Sequence, residues 1–254
     1  MKMITADLLV GKIYADRSCM GVAASSQAAK IIRRALKRNG LARVIVASAP
    51  SQNELIANLT SAAGIDWSRV TVFHMDEYVG LLPDHRASFR AYQNLHFLSK
   101  VTPAKFHGIR GDATDVEAEC TRYSALVTES AIDLVCMGIG ENGHIAFNDP
   151  STADFCDPLT AKVVELDELC RRQQVNDGCF PDISAVPKSA ITLTCSMLMS
   201  ARSVVCVVPG SQKASAVAAT FRGPISEICP ATILRRHTQA TIFLDRDSAS
   251  ELYL

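Results

Sequence analysis

Ile132-Asp133-Leu134-Val135-Cys136-Met137-Gly138-Ile139-Gly140-Glu141-Asn142-Gly143-His144-Ile145-Ala146-Phe147-Asn148-Asp149-Pro150 changes character partway along. Residues 132–137 form a largely apolar run, as expected of a strand buried on both faces of a sheet. Three glycines, two carboxylates and a histidine then crowd into residues 138–150. Glycine lets the chain turn sharply and lets a ligand approach the backbone. A histidine between carboxylates suits proton transfer, because both of its protonation states are accessible near neutral pH. In open α/β proteins ligands sit beyond the carboxyl ends of parallel strands. A strand followed by this loop therefore predicts both a parallel sheet and the edge of it where chemistry is expected.

Further short apolar runs lie on either side, at 43–48, 70–75, 203–208 and 240–244, with a weaker one at 162–166. Helical patterns fall between them. Ser26 to Asn39 carries Ala29, Ile32, Ala35 and Leu36 on one face and stops at Gly40. Ser51-Gln52-Asn53-Glu54 has the form of a capping box opening a helix through Ala62. Ser88–Leu98, Thr114–Glu129 and Ser211–Phe221 also read as helices. Strands alternating with helices predict a mostly parallel sheet covered on both faces. Residues 151–187 are polar and irregular and suit a lid or subdomain over the strand ends. With no repeat or linker, the 254 residues read as a single α/β domain.

Composition narrows the function. The chain is 48% hydrophobic, and its 26 basic residues balance 26 acidic ones. Nothing here favours nucleic acid or an anionic membrane as partner. No apolar run reaches the roughly 18 residues of a membrane span, and the N-terminus lacks the core of a signal peptide. The nine cysteines include no Cys-x-x-Cys pair. Reduced, mostly buried thiols in the cytoplasm are expected, with no metal or other cofactor.

Three more segments bear on chemistry. Phe73-His74-Met75-Asp76-Glu77-Tyr78-Val79-Gly80 ends an apolar run with two adjacent acids. Either acid can serve as a general base if held beside a substrate, or the pair is an ordinary solvated turn. Pro209-Gly210-Ser211-Gln212-Lys213 turns into a helix whose free N–H groups attract anions, and Lys213 adds charge. Ser48-Ala49-Pro50-Ser51-Gln52-Asn53 stands at a second helix start, where capping alone also explains Ser51.

Together these segments resemble the glucosamine-6-phosphate deaminase (isomerase) family. Met75-Asp76-Glu77-Tyr78-Val79-Gly80 and Gly143-His144-Ile145-Ala146-Phe147-Asn148 match its two main signatures, and Ser88-Phe89, Val186-Pro187-Lys188 and Gly210-Ser211-Gln212-Lys213-Ala214 echo it. The resemblance implies a Rossmann-like three-layer sandwich of the ribose-phosphate isomerase and CoA-transferase type. It implies a cofactor-free reaction in which an amino-sugar phosphate becomes a ketose phosphate and ammonia. The acid matching Asp76 moves a proton between C2 and C1, the histidine matching His144 opens the ring, and the acid matching Asp149 supports it. Glu141 joins the candidate catalytic set, because Glu141-Asn142 stands where the family usually has asparagine then aspartate. Ser48, Ser51, Gln52, Glu77, Asn142 and Lys213 are the expected substrate-binding residues.

The phosphate pocket departs further from the family. The 47–53 loop has no glycine, and Asn176, Asp177 and Gly178 lie nearest the position of an expected lid arginine. A small amino-sugar phosphate is the expected partner, with self-association left open. The alternatives are a sugar-phosphate sensor without turnover and a hydrolase of the 6-phosphogluconolactonase kind.

Overall fold

The computed structural model describes residues 1–253. Strand β1 (Lys2–Ala6) and strand β2 (Leu9–Ile13) form an antiparallel hairpin, followed by helix α1 (Arg17–Asn39) and strand β3 (Ala42–Val46). Next come α2 (Asn53–Thr60), β4 (Val70–His74), β5 (Asp76–Tyr78), α3 (Phe89–Gln93), β6 (Lys105–His107), α4 (Val116–Thr128) and β7 (Leu134–Met137). The remainder supplies β8 (Ala161–Glu165), α5 (Glu168–Asn176), β9 (Ser189–Leu193), α6 (Cys195–Met199), β10 (Val204–Val208), α7 (Ala214–Arg222) and β11 (Ala240–Leu244).

Eight strands make the main sheet in the order β1-β2-β11-β10-β7-β3-β4-β6, and every pairing except the β1–β2 hairpin is parallel. Successive strand side chains point to opposite faces, so apolar residues at consecutive positions need cover on both. On one face Val44, Val46, Leu134, Val205 and Val207 pack with Met20, Ala28 and Ile32 of α1 and Leu55 and Leu59 of α2. On the other, Ile45, Phe73, Val135, Met137 and Cys206 pack with Tyr123 and Val127 of α4 and Val217 and Phe221 of α7. Full burial of one such side chain contributes about 1.5–3 kcal/mol, so these strands are stable only between two layers of cover. This is the expected ribose-phosphate isomerase-like three-layer arrangement. A separate antiparallel sheet, β5-β9-β8, stands beyond the carboxyl edge. No helix among the described residues is long and apolar enough to cross a membrane.

Several expectations need correction. The first helix begins at Arg17 rather than Ser26: Asp16 caps it by accepting the Cys19 N–H at 2.7 Å. Its interior Gly21 masks the pattern, yet a methyl there would lie 2.3 Å from Glu54 Cβ, so glycine permits the close α1–α2 approach. The Ser51–Glu54 capping box does not form. Pro50–Gln52 make a 3-10 turn, neither that turn nor α2 has a side-chain cap, and Glu54 pairs with Arg17 at 2.7 Å. The 151–187 region is more regular than its composition suggests, holding β8, α5 and a 3-10 turn at Ile183–Ala185. Each of the nine cysteines is free, with Cys19 and Cys156 exposed.

Candidate active site

Strands β3, β4, β7 and β10 all deliver their carboxyl ends to one cavity of about 240 Å³. Asp76, Glu141, His144, Ser48, Ser51, Gln52 and Lys213 line it, seven of the expected residues. Asp149 and Asn142 stand behind His144, and Glu77 points elsewhere.

Asp76 and Glu77 are neighbours on β5 with opposite surroundings. Glu77 is fully buried and accepts the N–H groups of Phe89 (3.0 Å) and Arg90 (2.9 Å) and the Ser88 hydroxyl (2.8 Å). It ties β5 to the start of α3 and does not line the cavity, so the substrate-binding place expected for it is corrected. Strand alternation sends Asp76 the other way, into the cavity, where its carboxylate has no hydrogen-bond donor among the described residues. Burial, then the charge of Glu77, pushes its carboxyl well above the ordinary 3.8. That places proton exchange nearer neutrality, as a general base requires.

His144 is held by its own loop. Its N–H donates to Asn142 Oδ1 (3.0 Å), its carbonyl accepts from Gly140 N–H (2.9 Å), and Nδ1 lies 3.1 Å from Asp149 Oδ1. Gly140 is dictated by packing: a Cβ there would meet the imidazole at 2.2–2.3 Å. Ala146 adopts a positive φ of 50°, a costly conformation for alanine. It persists because Asn148 Nδ2 donates to the Ile145 and Leu193 carbonyls (2.9 and 2.8 Å), pinning the loop to β9. Burial works against ionisation of Asp149, but the bond and charge of His144 and the Asn142 amide (3.0 Å) hold its carboxyl below the usual range. A carboxylate fixed behind an imidazole orients the ring.

The anion end is built differently. Gly210, with φ 90°, donates its N–H to both oxygens of Asp245 (3.1 and 3.0 Å), which sets the turn carrying Lys213. Lys213 is 7% exposed and its Nζ has no hydrogen-bond partner among the described residues. Burial pushes its ammonium down, opposed by Asp177 and Glu141. The carbonyls of the 46–50 stretch are engaged by Gln93 (to Val46 and Ala47, 3.2 and 3.3 Å), Tyr92 (to Ala49, 2.8 Å) and Arg17 (to Pro50). Gln93 also donates to Ser48 Oγ at 2.9 Å.

Neither arginine near the expected lid position reaches the cavity. Arg171 donates to the Ile183 and Val186 carbonyls, and Arg172 pairs with Glu168. Gln173, Gln174 and Asp177 face the cavity instead, with Arg17 on the 47–53 side. Sequence reasoning missed Gln173, Gln174, Arg17 and Asp245, and named Asp177 only as standing near the place of the expected lid arginine. Asp16 followed by a long Ala-rich run was the available signal for Arg17; the others follow only from tertiary placement.

A parallel α/β sheet with an unbonded carboxylate, a backed imidazole and a buried free cation at its carboxyl edge defines a protein suited to acid–base handling of a small anionic ligand. Comparison with known proteins makes this specific: the chain belongs to the family described as glucosamine-6-phosphate isomerases/6-phosphogluconolactonase, whose profile matches residues 15–243. It is 35% identical over 231 residues to a glucosamine-6-phosphate deaminase of Listeria innocua, covering 91% of this chain and 96% of the relative. A glucosamine-6-phosphate deaminase of Lactobacillus delbrueckii subsp. bulgaricus is 32% identical over 240 residues, covering 94% and 98%. Among solved structures, a monomeric glucosamine-6-phosphate deaminase superposes with a TM-score of 0.86 at 31% identity, covering 95% of this chain and 99% of its own. A 6-phosphogluconolactonase from Shewanella baltica OS155 gives 0.78 at 20% identity, covering 96% and 100%, and shares the fold.

Proposed function

We propose that this chain is an amino-sugar-phosphate deaminase/isomerase, converting glucosamine 6-phosphate or a close relative, with one water, to a ketose phosphate and ammonia. The observation that carries the reading is the placement of Asp76 and His144 in one cavity with the buried, unpartnered ammonium of Lys213. Relatives named glucosamine-6-phosphate deaminase, at 35% and 32% identity over nearly the whole chain, support it.

His144 and Asp149 act first. The imidazole passes a proton between the ring oxygen and the anomeric hydroxyl and opens the sugar. Asp76 then takes the C2 proton and returns it to C1 while a proton passes from the amine to O1, so the aldehyde becomes an alcohol carbon and the amine-bearing carbon an imine. Water adds at C2 and ammonia leaves. Glu141 lines the same cavity and serves in proton balance beside His144. Lys213, Ser48, Ser51 and Gln52 hold the phosphate, and α5 covers the bound sugar as the lid expected within 151–187. A place in the cytoplasm fits an enzyme whose relatives are glucosamine-6-phosphate deaminases.

The deciding experiment measures ammonia and ketose release from glucosamine, galactosamine and their N-acetyl forms, each with and without 6-phosphate, alongside hydrolysis of 6-phosphogluconolactone. Ammonia and ketose phosphate from a phosphorylated amino sugar are expected. Lactone hydrolysis alone, or thermal stabilisation by sugar phosphates without turnover, would overturn the reading in favour of the lactonase or the sensor.

A further inference from the structure

Proton transfer leaves one neighbour of the His144–Asp149 pair without a task. Cys170 sits in the first turn of α5, 1% exposed, with its N–H on the Asp167 cap at 2.7 Å. It belongs to the small apolar cluster of Tyr78, Phe147 and Phe180, for which a packed methyl would serve as well. What packing does not require is a sulfur placed beside a carboxylate and an imidazole. A ring nitrogen of His144, a carboxylate oxygen of Asp149 and the Cys170 Sγ all lie within 4.8 Å of one another, and all three residues are buried. His144 Nδ1 is buried and lies 3.1 Å from Asp149 Oδ1.

We propose that His144, Asp149 and Cys170 form a binding site for one thiophilic divalent cation of the Zn²⁺ kind, and that filling it switches the imidazole off. One nitrogen, one sulfur and one carboxylate oxygen are donors that Zn²⁺ accepts, whereas Mg²⁺ and Ca²⁺ demand oxygen. Charge balances: a thiolate and a carboxylate offset the dication, the imidazole binds neutral, and the thiol proton leaves to water. Zinc bonds of about 2.0–2.3 Å bring tetrahedral donors to roughly 3.3–3.8 Å apart, so the 3.1 Å between His144 Nδ1 and Asp149 Oδ1 opens slightly while the Cys170 Sγ, within 4.8 Å of its partners, needs only a small approach. Water takes the fourth position from the cavity that His144 lines. The two segments are already joined, by Asn142 Nδ2 to Asp167 (3.2 Å) and Glu141 N–H to Gln173 (2.9 Å), which limits the ordering cost. A ring held by the cation through Nδ1 cannot pass through the imidazolium form, so ring opening stops. The proton shuttle of Asp76 on an already open sugar does not need that ring. The inhibition rests on the deaminase reading; the binding does not.

Co²⁺ titration of the full chain tests the binding. One equivalent is expected, with a near-ultraviolet thiolate-to-cobalt band, tetrahedral visible bands and displacement by Zn²⁺. Loss of an outer-sphere partner of a metal ligand typically costs about 10–100-fold in affinity, so Cys170→Ser and His144→Gln are each expected to cost at least that. In the unaltered chain Zn²⁺ should protect Cys170 from alkylation, read by peptide mass, which keeps the test independent of how the variants fold. Zn²⁺ should depress turnover of the cyclic substrate more than that of an open-chain analogue, and Cys170→Ser should abolish the difference. Co²⁺ binding without the charge-transfer band, affinity unchanged in Cys170→Ser, or unprotected Cys170 would overturn the site. A protected, cobalt-binding chain with turnover indifferent to Zn²⁺ would keep the site and overturn the switch.

Discussion

Asp76 and His144 stand on backbone tied down by neighbouring strands, whereas Lys213 and the glutamines opposite it stand on helix ends. Asp76 pairs with Thr192 across the small sheet, and the His144 loop is closed by its own hydrogen bonds and by Asn148. At the other end Lys213 rides on a 3-10 turn pinned through Gly210, while Gln173, Gln174 and Asp177 belong to or just follow the nine-residue α5. The proposed reacting groups thus have fixed positions, whereas the residues proposed to grip the ligand's distal end sit at helix ends, with the arginines of α5 turned away from the cavity.

The largest effect is expected at Asp76. Asp76→Asn should lower kcat by about 10²–10⁴-fold or more while leaving ligand binding within a few-fold, since the amide keeps the shape but takes no proton. The same change should stabilise the fold. A carboxyl whose folded value is raised favours the folded state fully below its ordinary 3.8, and that contribution is lost as pH rises through the raised value. The Tm advantage of Asp76→Asn should thus grow from about pH 4 upward, each ~1 kcal/mol appearing as about 2–4 °C. Unaltered enzyme should lose activity on the acid side of the raised Asp76 value. A variant that turns over within tenfold of the parent would remove Asp76 from the chemistry.

His144→Gln should come next, slowing the cyclic substrate by about a hundredfold or more and an open-chain analogue much less. Equal losses on both would deny the imidazole its ring-opening task. At the anion end the effects should be smaller. Lys213→Ala removes a charge-assisted bond of about 1.5–3 kcal/mol, so kcat/KM for a phosphorylated sugar should fall roughly tenfold or more and that for the free sugar hardly at all. Tight phosphate binding indifferent to this change would put the phosphate elsewhere. Smallest of all, Asp177→Asn should improve KM for the phosphorylated substrate a few-fold, because a carboxylate facing Lys213 opposes a dianion. A weaker KM would show that Asp177 orients Lys213 instead.

How legible each part was follows the same division. The buried strands announced themselves, and the apolar run at 240–244 coincides with β11, because apolar side chains on both faces leave few other folds. The Asp76 and His144 segments were readable since each follows such a strand. The β1–β2 hairpin was not, being short and half exposed. Glu77 could not be separated from Asp76 by sequence: the Phe89 and Arg90 N–H groups that claim it arrive from the next helix. Arg17, Gln173, Gln174 and Asp177 share a cavity only after distant segments meet.

The pairing of β2 with β11 has a consequence for how the molecule is made. Val10 registers with Thr241 and Ile13 with Leu244, so nearly the whole described chain lies between partners. On the ribosome the hairpin emerges well before β11 and waits, its inner edge unpaired, until that strand arrives. An exposed strand edge is a template for wrong partners, and such late closure between distant segments is slow. Chains stalled before residue 240 would thus be the aggregation-prone species during synthesis, and a permuted chain joining β11 directly to the hairpin would close that edge from the start.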